Sequence, residues 1–421
     1  MSVTFPIPQQ KALAPETPVQ LSSIKEPQYG RYFEHLFPGQ IFSHPRGFTF
    51  ERTLAQSFAR AFLQSNPLYF HNDFARAHGF SYAPVHPLMT FQAVRSMLAQ
   101  DITEKAISEL RCTGALFLRP VYPGDVLRAM TQTVSQDDSP DPASGSTSFR
   151  TVALNQNNEV VMRYEHKHLV HKRQMYPPAL PFAQGMMPRF PWHKTPKLEL
   201  PLQDPSKPRS QFVRPGAKST GESWDYLTGE NTYFGDFNPG DILLHTNGKT
   251  ITYDHVYWQA LLGGTHPKEL SAFYTNENNT GYADSNPKIP VSSGLLYALL
   301  DGLSSRDISE NAVWDLGFTE LYRPSEAYFG DTIFGITRIL QKEEAPAPFD
   351  DSYGILTLQL LGLKNIRPHA AIQKHGAELF MPSSTGSYHG TQELFSYGPD
   401  PLPKVFEVER RILIKKKKQS G

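Results

Sequence analysis

The sequence contains an internal repeat whose two copies lie about two hundred residues apart. Residues 32–50 (YFEHLFPGQIFSHPRGFTF) and 233–251 (YFGDFNPGDILLHTNGKTI) align without gaps at an offset of 201, and eight of nineteen positions are identical. Two later matches keep the same order, Pro84-Val85 with Pro290-Val291 and Arg119-Pro120 with Arg323-Pro324. Because order and spacing persist through each half, the repeat is a whole folding unit and not a solenoid module. The sequence therefore predicts two copies of one small domain, with the function placed where the copies meet.

Composition limits the classes of function that fit the chain. Its 421 residues are enough for two copies and a linker, and 41 basic residues balance 41 acidic ones, which leaves no nucleic-acid footprint. The single cysteine, Cys112, excludes internal disulfides and a cysteine-built metal site, and it suits a reducing compartment. The first residues lack a signal-peptide pattern, and no apolar run reaches membrane-spanning length. We therefore expect a cytoplasmic protein without nucleic-acid or membrane partners.

Each copy contains one helix that is apolar on nearly every side, followed by three strand-like runs. These helices are expected over 87–99 and 293–303. A helix of this kind must be enclosed by the rest of the fold. One buried helix wrapped by a curved antiparallel sheet is the hot-dog architecture, so we predict an α+β double hot-dog fold. Joining the two sheets edge to edge would remove exposed strand edges.

The pattern also predicts the boundaries of five segments. They are an N-terminal extension (1–30), a first hot-dog domain (31–171), a linker (172–231), a second hot-dog domain (232–365) and a C-terminal extension (366–421). Ten prolines between 172 and 215 predict a semi-rigid, extended connector. The C-terminal segment shows no counterpart in the first copy, and it is a candidate interaction surface.

Several motifs resemble those of MaoC-type acyl-CoA hydratases and dehydratases. In the first copy they are SNPLYFHNDFARAHGF (65–80), APVHPLMTF (83–91) and FLRPVYPGDVL (117–127). In the second copy, GLSSRDISENAVWDLGF (302–318) and YFGDTIF (328–334) are similar to the double hot-dog branch that includes mesaconyl-CoA hydratase. The resemblance covers about 31–171 and 232–363. It implies reversible addition of water to the double bond of an enoyl thioester, with acyl-CoA or acyl-carrier protein as the substrate and no further cofactor or metal.

This chemistry needs hydrogen-bond donors for the developing enolate oxygen. The N-terminus of a helix supplies free N–H groups and a partial positive charge. In each copy the start of the buried helix is suited to this role. The candidates for substrate binding there are His86 in the first copy and Ser293 and Gly294 in the second.

Both copies depart from the family's usual site, Gly-Asp-x-Asn-Pro-Leu/Ile-His, in which the Asp and the His transfer protons. The first copy has Gln64 and Tyr69 at these two positions, and the second has Gly264 and Glu269. Nearby ionisable residues are the candidate replacements, and the catalytic candidates are His71, Asp73, His266 and Glu269. Asn66 and Tyr69 are further candidates for substrate contact.

A structural role is the alternative for each of these residues. His71 and Asp73 could begin a short helix, His266 and Glu269 could belong to a solvated loop, and His86 could be a packing residue. His166 and His168 alternate along a strand in HKHLVHK (166–172), and we interpret them as basic residues of an edge strand and not as metal ligands. The repeated His44 and His245 are assigned no chemistry.

The missing Asp/His pair also keeps a second class of function open. The chain could be a catalytically inactive double hot-dog protein that binds an acyl thioester or a partner protein. It could also be a repurposed biosynthetic dehydratase or thioesterase, because fold does not fix function. A homodimer is compatible with the sequence.

Overall fold

The computed structural model describes residues 24–138, 141–173, 190–193, 196–202, 232–278, 289–382 and 402–417. The first copy comprises β1 (Ile41–Ser43), β2 (Phe48–Thr49), α1 (Arg52–Ala61), α2 (Asn72–Ala77), α3 (Pro87–Leu98), β3 (Ala106–Phe117), β4 (Val126–Asp138), β5 (Ser144–Leu154) and β6 (Val160–His171). The second comprises β7 (Ile242–Thr250), α4 (Tyr253–Leu261), α5 (Pro267–Leu270), α6 (Ala272–Asn278), α7 (Ser293–Ser304), β8 (Ala312–Tyr322), β9 (Thr332–Glu344), β10 (Tyr353–Lys364), α8 (Pro368–His375) and β11 (Lys404–Lys415).

The described strands form one antiparallel sheet that runs through both copies. Its order is β1-β4-β5-β6-β3-β8-β11-β10-β9-β7, and β2 pairs with β4 outside this path. The seam between the copies is the β3–β8 pair, in which Cys112 lies opposite Leu321 and Leu116 opposite Gly317. Gly317 has a φ of +123°, and a Cβ there would collide with the backbone of Ala115. The double hot-dog fold, with its sheets joined edge to edge, is therefore confirmed.

The two predicted central helices lie inside the fold. Every residue of α7 is buried, and so is every residue of α3 except Arg95. Phe318 of β8 makes edge contacts with Phe91 of α3 and Tyr297 of α7, with ring centroids 5.5 and 5.9 Å apart. Fully burying a side chain of this size contributes roughly 1.5–3 kcal/mol. This shared core fixes the two helix N-termini relative to each other.

The strand β11 belongs to the second copy and is not an appendage. It lies between β8 and β10, just as β6 lies between β3 and β5. The prediction of a C-terminal extension without a counterpart is therefore wrong for residues 404–415. The chain that separates β10 from β11 includes α8 and is far longer than the β5–β6 turn. This insertion breaks the constant offset by which the repeat was recognised.

Much of the predicted linker and N-terminal extension lies outside the described residues. Within the described part, residues 196–202 run along the first copy. Glu199 N donates to Leu118 O at 2.9 Å, and Leu200 and Leu202 pack against the core. The extended character of the whole connector stays a prediction. No helix in the described ranges is both long and apolar enough to cross a membrane.

Candidate active site

Two junctions between the copies are related by the repeat. The first junction joins residues 62–69 of the first copy to α7, and the second joins residues 263–270 of the second copy to α3. The offset is 200 residues in the two loops and 206 residues from the buried helices onward, so Arg95 of α3 corresponds to Asp301 of α7 and Glu109 to Asp315. By the same offset, Ser96 corresponds to Gly302. These pairs allow the two junctions to be compared position by position.

The first junction is closely packed. A Cβ on Gly302 would collide with the carbonyl oxygen of Phe62, so residues 62–63 lie directly on α7. Asn66 is buried, and its amide donates to Ser309 O at 3.0 Å and to Ala312 O at 2.8 Å. Its side-chain oxygen accepts from Leu68 N at 2.9 Å. The predicted role of Asn66 in substrate contact is therefore replaced by a structural role, because these bonds use its amide and its oxygen.

A cluster of charged side chains fills the space beside this loop. Arg410 of β11 bonds to Asp301 and lies 3.3 Å from Asp315, and these side chains are 3–5% exposed. His86 Nε2 lies 3.2 Å from Asp301 Oδ2, and Gln64 also donates to Asp301. Burial opposes the ionisation of Asp301, but Arg410 and His86 hold its pKa well below its usual range. Burial raises the pKa of Asp315 to about 6.

Tyr69 and His86 are part of the same packing. The ring centroids of Tyr69 and His86 lie 4.4 Å apart with the ring planes tilted by 51°, and burial raises the pKa of the Tyr69 hydroxyl well above its usual value. His86 Nδ1 accepts from Leu88 N at 3.2 Å, and His86 O accepts from the N–H groups of Met89 and Thr90. Pro87 has no N–H to offer. The start of α3 thus has no free donor, which contradicts the prediction that His86 and Tyr69 bind substrate.

The second junction contains a cavity of about 90 Å³. The residues lining it come from both copies. From the first copy they include Gln92, Arg95, Ser96, Ala99, Thr103, Ala106, Glu109 and His168; from the second they include Gly264, Thr265, His266, Lys268, Glu269, Pro290, Val291, Ser293 and Arg323. A site assembled from both copies agrees with the expectation that function lies where they meet.

The N-terminus of α7 reaches this cavity with donors available. Ser293 is the first residue of α7, and the side chain of the preceding Ser292 does not cap the helix. Ser292 Oγ instead donates to Gln92 Oε1 at 3.1 Å. The N–H groups of Ser293 and Gly294 cannot bond within the helix, and none of the described residues accepts from them. They also carry the partial positive charge of the helix.

Ser293 lies in the cavity wall and Gly294 follows it in α7, and their roles in substrate binding stay a prediction. The Ser293 hydroxyl donates to Glu109 Oε2 at 3.1 Å. A Cβ on Gly294 would collide with the side chain of Gln92, so a glycine allows α7 to begin beside α3.

Arg95 and Glu109 form a fixed ion pair in the cavity wall. Their two hydrogen bonds are 2.6 and 3.0 Å long. Burial opposes the ionisation of Glu109, but Arg95 holds its pKa at about 2. Lys268 and Arg323 both bond to Glu326, at 3.1 and 2.7 Å. These three ion pairs join three cations to two carboxylates, so this part of the cavity wall carries one net positive charge.

Glu269 and His266 are both brought to the cavity, but with different roles. His266 occupies the position of Asn66 in the repeat, and its Nδ1 accepts from Lys268 N at 3.2 Å. Burial, with help from Lys268, lowers the pKa of His266 to about 4, so the ring is neutral and caps α5. The partly buried Glu269 stands at the family's His position. Burial raises its pKa, although Arg95 and Arg323 act in the opposite direction.

His71 and Asp73 are not brought to this cavity. Both are exposed, at the beginning of α2. Asp73 pairs with Arg76 at 3.2 Å, and its side chain is 76% exposed. The alternative interpretation, a short helix with Asp73 in its first turn, describes them correctly. A solvated pair outside the cavity is not placed to transfer protons inside it, so neither residue is retained as a catalytic group.

His168 is the cavity residue that the sequence analysis missed. It lies on β6, between β5 and β3, and not on an edge strand as expected. His166 and His168 are 3% and 6% exposed. Their alternation in HKHLVHK was the available signal, but sheet order cannot be derived from spacing. The described residues contain no group of three or more His, Cys, Asp or Glu side chains arranged for a metal ion.

The chain is similar in sequence to known hydratases and dehydratases. Residues 17–178 match a family model described as mesaconyl-CoA hydratase. The mesaconyl-CoA hydratase of Cereibacter sphaeroides is 28% identical over 85% of this chain and 94% of its own length. The β-methylmalyl-CoA dehydratase of Chloroflexus aurantiacus is 24% identical over 80% of this chain and 89% of its own.

Solved structures show the same fold over nearly the whole chain. A putative MaoC domain protein dehydratase from Chloroflexus aurantiacus superposes with a TM-score of 0.68 at 22% identity, covering 94% of this chain and all of that one. A double hotdog protein from Mycobacterium tuberculosis gives 0.61 at 15% identity, covering 92% and 99%. The repeat, the shared sheet and the solved structures show a double hot-dog fold, and the chain is similar in sequence to mesaconyl-CoA hydratase and β-methylmalyl-CoA dehydratase.

Proposed function

We propose that the protein is a hydro-lyase that adds water to, or removes it from, the double bond of an enoyl-CoA thioester at a single site. That site is the cavity of the second junction. The observation that carries the proposal is the meeting of two features there. Free N–H groups at the start of α7 lie beside a partly buried carboxyl group, Glu269, whose pKa is raised by burial. An acyl group of the mesaconyl type is the substrate class that the similar proteins suggest.

The N–H groups of Ser293 and Gly294 would bind the thioester oxygen. When water attacks the β-carbon, negative charge develops on this oxygen, and preorganised donors stabilise it there. Removing one donor of this kind costs roughly 10²–10³ in rate in other enzymes. The Ser293 hydroxyl bonds to Glu109, and that carboxylate bonds in turn to Arg95. This chain of contacts fixes the first turn of α7.

Glu269 would transfer the proton at the α-carbon. In hydration its carboxylic acid donates to that carbon as the enolate collapses. In dehydration its carboxylate removes the same proton. A raised pKa brings the group closer to neutrality, where a general acid and base is most effective.

The first junction would not form a second site. The helix that begins at this junction is α3, which has no free donor at its start, and Asp301, Arg410 and Asp315 occupy the space beside the loop. We therefore propose one site per chain, although the domain is present twice.

The test is a spectroscopic assay of the purified protein with mesaconyl-CoA and crotonyl-CoA. Loss of the enoyl thioester absorbance, with appearance of the hydroxyacyl product by mass spectrometry, is the expected result. Binding of these thioesters by calorimetry without any turnover would instead identify an inactive acyl-thioester-binding protein. That outcome would overturn the proposal. Its physical basis would be the missing Asp/His pair.

A further inference from the structure

A row of buried polar side chains crosses the first copy and ends at the cavity. It runs from Asp101 through His44, Thr131, Thr151 and His166 to His168. In this order the five distances are 2.7, 2.9, 2.9, 2.9 and 2.8 Å, so each step is a hydrogen bond. The Asp101 side chain is 31% exposed at one end. His168 lines the cavity at the other.

The chemistry of each group gives the row one direction. The Asp101 carboxylate can only accept, so His44 Nδ1 carries a proton, and in the neutral form of this ring Nε2 accepts from Thr131. Thr131 then accepts from Thr151, and Thr151 accepts from His166 Nε2. His166 Nδ1 is left to accept from His168 Nε2. Every donor and acceptor between Asp101 and His168 Nε2 is therefore matched.

The free end of the row is a nitrogen lone pair. His168 Nδ1 is buried and has no hydrogen-bond partner among the described residues. Burial lowers the pKa of His168 to about 4, with Glu109 of β3 opposing the shift and Arg95 of α3 adding to it. Burial also lowers the pKa of His166 well below its usual range. Both rings are therefore neutral at physiological pH, and each keeps one N–H and one lone pair.

We propose that this row is a proton relay between the cavity and the solvent, and that His168 accepts the proton of the attacking water. The assignment to His168 rests on the proposed hydration activity. Glu269 serves the α-carbon, and the Lys268 and Arg323 charges are paired with Glu326. His168 remains as the neutral acceptor in the cavity wall.

The proton balance closes in the direction of hydration. The water oxygen bonds to the β-carbon, its proton moves to His168 Nδ1, and the π electrons move onto the thioester oxygen. His168 Nε2–H then passes to His166 Nδ1, and each later group gives its proton to the next until His44 Nδ1–H reaches Asp101. Asp101 releases the proton to solvent. Glu269 donates a proton to the α-carbon and regains one from solvent, so no net proton is consumed.

The second copy contains the beginning of the same row but not its continuation. His245 Nδ1 lies 2.7 Å from Asp307, and its Nε2 lies 2.8 Å from Thr337. The residue paired with Thr337 is Leu360, where the first copy pairs Thr131 with Thr151. The Asp-His-Thr part therefore recurs as a structural unit in both copies. The extension to a cavity is specific to the copy that faces the proposed site.

Nitrogen NMR of protein labelled with ¹⁵N-histidine tests the relay without any substrate. The expected resting tautomers are Nδ1–H for His44 and Nε2–H for both His166 and His168. Thr151→Val, which removes the central hydroxyl at almost constant volume, should shift the His166 Nε2 signal. An Nδ1–H tautomer at His166 or His168 in the resting protein would overturn the proposal, whether or not an enzymatic activity is found.

Kinetics with crotonyl-CoA or mesaconyl-CoA test the role of the relay in turnover. Thr151→Val should lower kcat by on the order of 10²-fold, the low end for a lost proton-transfer step, and change the solvent deuterium isotope effect. The matched control is Thr337→Val, which removes the equivalent hydroxyl in the second copy and should keep wild-type kcat. A purely structural role would lower the melting temperature in both variants and leave kcat and the isotope effect unchanged, which would overturn the relay. Absence of wild-type turnover would instead reject the proposed hydratase activity, and the tautomers would then decide the relay alone.

Discussion

The first and second junctions place residues at equivalent positions but use them in opposite ways. In the second junction, Arg95 of the buried helix pairs with Glu109 and leaves a cavity. In the first, the equivalent pair is Asp301 and Asp315, and Arg410 of β11 lies between the two carboxylates. The duplicated domain thus produces two equivalent junctions with different contents. Charged and packed side chains fill the first junction, whereas the second contains a cavity and a helix N-terminus with free N–H donors.

The largest expected difference between the junctions is in turnover. Glu269→Gln should lower kcat by about 10²–10⁴-fold, the range for loss of a general acid and base. Tyr69→Phe changes the equivalent position of the first copy and should leave kcat at the wild-type value. Steady-state kinetics with mesaconyl-CoA measure kcat, and melting curves show whether both variants are folded. Equal losses in the two variants would mean that both junctions are sites.

The next difference is in stability. Arg410→Met leaves Asp301 and Asp315 without their cation in a buried place, so the free energy of unfolding should fall by about 3–5 kcal/mol. The neighbouring Arg411 pairs with Glu343, and both side chains are more than 40% exposed. Arg411→Met should therefore cost no more than about 1 kcal/mol. Chemical denaturation measures both, and a small effect of Arg410→Met would show that the cluster does not hold the first junction closed.

The two junctions should also respond to pH with opposite signs. His168 and His266 have folded-state pKa values of about 4, against about 6.5 in the unfolded chain. The unfolded chain thus binds more protons between pH 6.5 and 4, and stability falls as the pH drops through this window. Asp315, with a folded-state pKa of about 6, acts in the opposite direction between pH 4 and 6. His166 is also neutral in the fold, so three histidines act against one carboxyl group. The free energy of unfolding should therefore fall by a net amount of a few kcal/mol between pH 6.5 and 4.

Two variants separate these contributions. Urea denaturation between pH 4.5 and 7 should show a steeper acid loss for Asp315→Asn than for wild type, because the opposing carboxyl is gone. His168→Gln should show a shallower loss. A wild-type stability that rises on acidification in this range would contradict the neutral state of the cavity histidines.

The smallest effect is expected from repairing the first copy. Gln64→Asp with Tyr69→His restores the family's Asp and His at the first junction. Combined with Glu269→Gln, it should recover no turnover, because α3 has no free N–H donor and Asp301 already occupies the space. Recovery of measurable hydration of crotonyl-CoA by the triple variant would show that the missing pair alone separates the junctions.

The fold could be predicted from the sequence because the repeat and the two enclosed helices determine it. The site was predictable only in part. Glu269 and Ser293 do line the cavity, and the sequence singled them out because a family motif marks the first position and the start of a buried helix marks the second. Their roles stay a prediction. His71 and Asp73 were misplaced because a short helix carries both side chains to solvent. Which strand neighbours which is set by long-range pairing, so the burial of His168 had no local signal.

The charge cluster of the first junction was hidden for a related reason. Arg410 lies on β11, and the chain before this strand breaks the repeat at the point where its counterpart, β6, would have been recognised. Asp301 and Asp315 alone look like ordinary polar positions. Their role in the cluster depends on Arg410, which lies on a strand that follows a long insertion in the chain.

The position of β11 also has a consequence for biosynthesis. A growing chain can assemble the first copy as soon as β6 has left the ribosome, because all its strands are then present. The second copy must wait for β11, which is made after every other strand and inserts between β8 and β10. Until then both neighbours expose unpaired edges, the feature that favours aggregation. The half that carries Glu269 is therefore the half most dependent on completed synthesis.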